Sequence, residues 1–288
     1  MRFWFRLSNF TKNKKIYQLS LYKWLMEYQG VLTKMQTEHG KPIQYYLVFD
    51  DSFINVNQLL GKEVELCFFG YQCLHCTKKK KIFRQGYCYN CFSTSASAGD
   101  WILRPELSQA HLGIADRDLD YEASVQLHPH TVYLALACEV KVGVTRSTQV
   151  PTRWIDQGAC TAVTVVEVPN RYLAGIAEVA LKEFYVDKTN WRRMLCNDVT
   201  PADLLEERRK VEKILPAEVA EFYHHQHEIF EIEYPILQYP KQVKNLNLEK
   251  TSQFRGKLTG IRGQYLIFEC GTVFNVRAAE GVVARIAV

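Results

Sequence analysis

Apolar and polar positions alternate in two runs, TVYLAL from Thr131 and EVKVGVTR from Glu139, whose β-branched and aromatic residues predict two short strands. The break at Cys138 and Glu139 predicts a tight turn, so a hairpin should hold Tyr133 and Lys141 close together. The period then changes. In NRYLAGIAEVALKEFY the apolar residues fall at Leu173, Ile176, Ala177, Ala180, Leu181 and Phe184, the i, i+3, i+4 spacing of a helix, with Glu178 beside the stripe and able to face the hairpin. Thr200, Pro201 and Asp203 mark a second helix start, LLEERRKVEKIL has a charged and an apolar face, and Pro216 opens a third helix. IFEIEYPIL reads as a strand, and MEYQGVLTKM starts a strand pattern at Met26.

The two ends of the chain resemble each other. QGVLTKM followed by YYLVFDDSFINVN near the start parallels RGKLTGI followed by QYLIFECGTVFNVR near the finish. Each copy supplies three short strands with turns at DDS or ECG, too few to be stable separately. They are expected to complete one small barrel or sheet that brings the termini together. The pattern predicts an α/β (α+β) chain. Residues 1–25 are an extension, 26–66 an N-terminal β module, 67–130 a zinc ribbon and connector, and 131–198 a core of small sheet with helices. A helical segment and strand occupy 199–252 and a C-terminal β module 253–288.

With 288 residues, 47% hydrophobic and 23% charged, the chain can build two or three small domains with cores of their own. The formal charge of +5 loses its meaning once located: residues 1–25 hold six Lys or Arg and no acid, and the rest carries 30 bases against 31 acids. No apolar run is long enough for a signal peptide or membrane span, so a cytoplasmic protein without a transmembrane segment is expected. The basic, acid-free start reads as a non-native or disordered extension. Local charge says more. Lys78, Lys79, Lys80, Lys81 and Arg84 crowd one short segment beside Phe83 and Tyr87, a composition suited to phosphate contact and base stacking, or to a solvated hairpin tip.

That segment lies between Cys73, Cys76, Cys88 and Cys91, two CxxC pairs separated by TKKKKIFRQGY. The spacing is that of a short zinc ribbon, in which four thiolates close the shell of a structural Zn²⁺. A redox dithiol needs one CxxC only, and nothing points to secretion. His75 lies inside the first knuckle but is not needed. Cys67, Cys138, Cys160, Cys196 and Cys270 lack metal spacing and read as reduced core thiols. His224, His225, His227 and Glu228 have helical metal-binding spacings, but a polar helix end before the following strand explains them as well.

Tyr133, Lys141, Gly143, Arg153, Glu178 and Asn190 give the region from Thr131 to Leu195 a resemblance to the GIY-YIG nuclease superfamily. TVY stands for the first name motif and KVG for the second, Arg153 follows Gly143 by ten positions, and Glu178 precedes Asn190 by twelve, as in the DNA-repair branch. Thr131 replaces a glycine and Lys141 a tyrosine. The resemblance implies a GIY-YIG-like core in which Tyr133 activates water, Arg153 steadies a phosphate and Glu178 holds one Mg²⁺ or Mn²⁺. A phenol near its ordinary pKa of about 10 is a poor base unless cations favour the phenolate, a field that Lys141 and Arg153 could supply. Asp156 or Gln157 could replace a histidine often found near such sites. Across residues 26–288, GYCYNCF, RPEL, VKVGVTR, QVPTRWIDQGA, VPNRYLAG, DKTNWRRML and GQYLIF also resemble a bacterial family of uncharacterised proteins, a domain of unknown function. Cysteines often flank RPEL in that family; here Trp101 and Ser108 stand there. The expected function is nucleic-acid binding at a GIY-YIG-like site, with metal-dependent phosphodiester cleavage (an endonuclease). The alternative is a noncatalytic nucleic-acid adaptor or a zinc-containing protein-interaction scaffold.

Overall fold

The first alternating stretch forms β1 (Glu27–Val31), β2 (Gln36–Glu38), β3 (Gln44–Phe49), β4 (Ser52–Asn55) and β5 (Glu63–Tyr71). The computed structural model describes residues 26–225 and 228–288; the expectations for residues 1–25, and His227 of the histidine cluster, lie outside the described residues. In β3 Tyr45, Leu47 and Phe49 are buried and the residues between them are not, the period of a strand with one face on the core. The ribbon follows as β6 (Ile82–Arg84), β7 (Tyr87–Cys88) and α1 (Tyr89–Thr94). Gln85 and Gly86 join the two strands with φ of 53° and 74°, the left-handed pair of a two-residue hairpin turn. Short 3-10 turns lead to α2 (Leu119–Gln126), whose first amides are capped by Asp118.

The central unit runs β8 (His130–Leu136), β9 (Val140–Arg146), α3 (Thr152–Asp156), β10 (Thr161–Val168) and α4 (Arg171–Leu181), followed by α5 (Trp191–Leu195), α6 (Leu204–Glu212), α7 (Ala217–Ala220) and β11 (Phe230–Glu231). Its four strands pair in the order β11-β10-β8-β9, all antiparallel, with β9 at an edge. Val132 and Leu134 face Ala174, Ala177 and Leu181 of α4 and Leu204 and Val211 of α6. Tyr133 and Ala135 face the other way, against Trp154, Ile155 and the β modules. The α4 stripe is turned by one position from the sequence expectation: Ala174, Ala177, Glu178 and Leu181 are buried, while Phe184 is exposed. Asp203 and Pro216 do start α6 and α7. The histidines do not end a helix, because α7 stops at Ala220 and His224 N–H bonds to Val165 O beside a β-bridge.

β12 (Lys244–Asn245), β13 (Gln253–Arg262), β14 (Tyr265–Phe268), β15 (Thr272–Asn275) and β16 (Val282–Ala287) complete the chain. The two similar ends share one seven-stranded sheet of order β1-β16-β5-β13-β14-β15-β12. The first strand of each copy pairs with the last strand of the other: β1 with β16, and β13 with β5. The exchange extends to single hydrogen bonds. Gly61 N–H donates to Leu258 O, and Gly281 N–H donates to Leu32 O, each glycine at positive φ after a 3-10 turn. Met26 and Val288 exchange backbone hydrogen bonds, so the ends of the two copies meet.

Two buried polar side chains fasten this sheet to the central unit. Arg262, fully buried, donates to the carbonyls of Gly158, Met194 and Ala137, to Asn197 Oδ1 and to Cys160 Sγ. Asp156 accepts from Lys34 Nζ at 2.8 Å and from Gln264 Nε2 at 2.7 Å. The architecture is mixed α+β, with several sheets and few helices. Of the five remaining cysteines, Cys67 and Cys138 are buried as expected of core thiols, Cys160 and Cys196 are half-buried, and Cys270 is exposed because the ECG turn points outward.

Candidate functional site

The β8–β9 register sets Tyr133 opposite Gly143 and Ala135 opposite Lys141, all on one face. Gly143 is required there, since the Tyr133 hydroxyl lies 2.6 Å from the position a Cβ would take. That hydroxyl donates to Gln157 Oε1 at 2.9 Å and is hydrogen-bonded by Arg153, one turn earlier on α3. Glu178 approaches from α4, and its charge acts on both Tyr133 and Lys141, as does that of Arg153. The four side chains therefore share one electrostatic neighbourhood. They do not share exposure: Tyr133 is 0% exposed, Lys141 5% and Glu178 8%, whereas Arg153 is half-buried and reaches open space.

Burial governs their chemistry. It pushes the Tyr133 phenol up to about 12, and the opposing pull of Arg153 does not offset it. Lys141 is held down to about 8, first by burial and then by Arg153, while its Nζ donates to Asp187 O at 3.1 Å. Burial raises the Glu178 carboxyl and Lys182 lowers it through a 3.1 Å ion pair one turn along α4. For a Mg²⁺ or Mn²⁺ ion the donor set is poor: one carboxylate, occupied by Lys182 and surrounded by the cations Lys141, Arg153 and Arg171. Two other residues have structural work. Asn190 caps α5 by accepting from Arg193 N–H, and Asp156 is the buried tie to Lys34 and Gln264.

Arg153 opens into a cavity of about 340 Å³ that also receives Arg146, Arg171 and Arg277. Arg146 comes from the end of β9 and Arg171 from the first residue of α4, two positions brought together because the helix packs along that edge strand. Burial lowers Arg171 to about 10; Glu178 raises it, and Arg153 and Arg146 lower it again, so the three guanidinium groups crowd one another. Among the described residues none of these three forms an ion pair, and Arg277 pairs only with Asp156 at 3.6 Å. Arg171 is held instead by the carbonyls of Trp101 and Ile102, beside RPEL, where Gly175 leaves room for the Pro105–Glu106 backbone. The sequence reading missed Arg146, Arg171 and Arg277. VKVGVTR and VPNRYLAG carried a signal for the first two, an arginine at a strand end and another at a helix start; Arg277 lies more than a hundred positions away and carried none.

The four CxxC cysteines converge. Their sulfurs lie within 4.8 Å of one another, and Cys76 and Cys88 are 4.0 Å apart. A zinc ion with sulfurs at about 2.3 Å requires edges of roughly 3.8 Å, so these donors could hold a structural metal such as zinc. Burial raises the Cys73 thiol, but N–H groups of Cys76, Cys88 and His75 bring it down to about 6, as a metal-bound thiolate needs. Among the described residues this is the one group of three or more His, Cys, Asp or Glu donors with such spacing. Lys78, Lys79, Lys80 and Lys81, which precede β6, and Arg84, at its end, are all exposed; Lys81 lies 3.8 Å from Glu249. No helix among the described residues is long and apolar enough to cross a membrane. No curated protein and no solved structure matches the chain. A family profile described as protein of unknown function (DUF2797) matches residues 61–284, a span holding the cysteines, the hairpin and all four arginines, and the chain belongs to that family.

Proposed function

We propose that the protein binds nucleic acid, taking a backbone phosphate into the cavity between Arg146, Arg153, Arg171 and Arg277. The observation that carries this reading is that three of these guanidinium groups crowd one open cavity and form no ion pair among the described residues. Buried or half-buried cations that form no ion pair are costly; Glu280 on the cavity wall and the charge of Glu178 offset that cost only in part, and an anion relieves the rest. Arginine's planar fork is suited to phosphate oxygens. The hairpin of Tyr133 and Gly143 then serves as a GIY-YIG-like wall that orients Arg153 through the Tyr133 hydroxyl. A structural zinc in the four-cysteine ribbon would hold the exposed cations Lys78 to Lys81 and Arg84, and the turn residue Gln85 reaches the cavity wall.

The test is fluorescence anisotropy with labelled DNA and RNA oligonucleotides over a range of salt. Arg146→Ala and Arg153→Ala should each weaken binding by about tenfold and reduce the salt slope by roughly 0.7 to 0.9 per lost phosphate contact. Salt-independent binding, or affinity unchanged in both variants, would refute the reading.

Cleavage is the second reading, favoured by Lys141, whose depressed pKa leaves part of it neutral near pH 8 beside Arg153 and Glu178. A phenol at about 12 and a Glu178 carboxylate engaged by Lys182 favour binding without cutting. Incubation of the same oligonucleotides with Mg²⁺ or Mn²⁺ separates the two. Intact substrate is expected; metal-dependent cleavage lost in a folded Glu178→Ala variant would establish a phosphodiesterase instead.

A further inference from the structure

The cavity is not only cationic. Its lining includes Trp101, Leu103, Val125 and Tyr121, the last 38% exposed and within electrostatic reach of Arg146. A phosphate alone needs no such apolar wall; a nucleotide unit, with an anionic backbone and a flat base, uses both parts. The same pairing of charge and ring recurs on the ribbon. Phe83 is 48% exposed and Tyr89 64%, their rings 5.3 Å apart and nearly perpendicular, and Phe92 meets Phe83 at 5.2 Å. The Arg84 guanidinium lies 5.4 Å from the Phe83 ring centre. Four exposed lysines precede this aromatic group on the chain. A metal ribbon with so small a core does not need large rings in water, and exposed rings bordered by cations are the features of a base-stacking platform.

The two places adjoin. Gln85, in the left-handed turn after Arg84, is itself part of the cavity wall. The turn therefore links the strand that carries Phe83 and Arg84 to the wall of the arginine cavity.

We infer that the occupant is single-stranded nucleic acid, with one phosphate among the arginines, its base on Tyr121, and neighbouring bases stacked on Phe83 and Tyr89. This rests on the nucleic-acid reading above and narrows it. Paired bases in a duplex present no free faces to these rings, so single strands are favoured over duplex. Stacking tolerates every base, so little sequence preference follows.

The experiment uses the full chain with its metal, and labelled oligothymidylate, oligouridylate and a blunt duplex of equal length. The single strands should bind at least about tenfold tighter than the duplex, and Phe83→Ala combined with Tyr89→Ala should weaken single-strand binding by about tenfold or more. The salt slope should be unchanged in that variant, and so should its zinc content, which reports that the ribbon still folds. Tyr121→Ala should weaken the same binding independently of the ribbon. Equal affinity for duplex, or aromatic variants with full affinity while Arg146→Ala and Arg153→Ala lose it, would overturn the single-strand inference and leave nucleic-acid binding standing. Thymidine monophosphate bound as tightly as the oligonucleotide would also overturn it. No binding of any nucleic acid would end both.

Discussion

Lys141 illustrates how burial rewrites a residue's role. In the sequence it is a cation beside Tyr133, able to favour a phenolate; in the fold it is a strand residue with its ammonium group taken out of water and held at about 8 instead of the ordinary 10.5. Below pH 8 the native state bears the cost of that charge, and above 10.5 neither state carries it. Between these values the unfolded chain binds more protons, so stability rises with pH across the window, by about 3 kcal/mol at most. Lys141→Met should raise the urea midpoint at neutral pH and flatten the rise on going to alkaline pH. A wild-type rise that persists in the variant would show that another group causes it. His130 acts in the same direction at lower pH: burial holds it near 4, so the fold loses stability as pH falls from 6.5 toward 4. That Tyr133, Arg153 and Glu178 come into one neighbourhood was legible in the sequence. Their exposure was not, because a strand's alternation tells which residues share a face but not what covers that face.

At the scale of elements, local pattern served well where one strong constraint acts. Four cysteines at CxxC spacing made the ribbon legible, and the period-2 and period-3.6 runs made β8, β9 and α4 legible. The ribbon also shows why a metal would matter: its cluster holds Cys73, Cys88 and Cys91, with only Cys76, Ile82 and Tyr87 partly buried beside them. So small a core cannot offset a backbone ordering cost of about 1 to 2 kcal/mol per residue. Removing the metal with a chelator should therefore release hydrogen-exchange protection from Cys73 to Thr94 and leave β13 to β16 protected. Cys88→Ser should reproduce that pattern and lose the bound zinc, expected at one per chain. Protection of the ribbon that survives metal removal would contradict a metal-dependent fold. The turn of the α4 stripe by one position was not legible, since Gly175 and Glu178 are buried by the RPEL segment, a contact with no trace in helical periodicity.

The whole molecule depends on exchanged strands. Because β1 is held by β16, and β5 lies between β16 and β13, neither end can complete its sheet without the other. Deleting residues 253–288 should leave β1 to β5 protease-sensitive, with a loss of β-sheet circular dichroism beyond the strands removed. A truncated chain in which residues 26–72 stay protected would show that the N-terminal copy folds without its partner. The similarity of the two ends could be read from the chain, and with it the expectation that the ends meet. Which strand pairs with which could not, since either copy could in principle close on itself; long-range hydrogen bonds such as Gly61 to Leu258 made that choice. The same holds for the cavity. By itself the sequence determined the four cysteines that could hold a metal, the main hairpin and the helix behind it, because those depend on spacing within a few turns of chain. The i, i+4 spacing also offered Glu178 to Lys182, whereas only tertiary structure decided that Tyr133 is sealed and that Arg277 joins Arg146, Arg153 and Arg171. Solvent access and charge proximity are properties of packed surfaces, which segments distant along the chain build together.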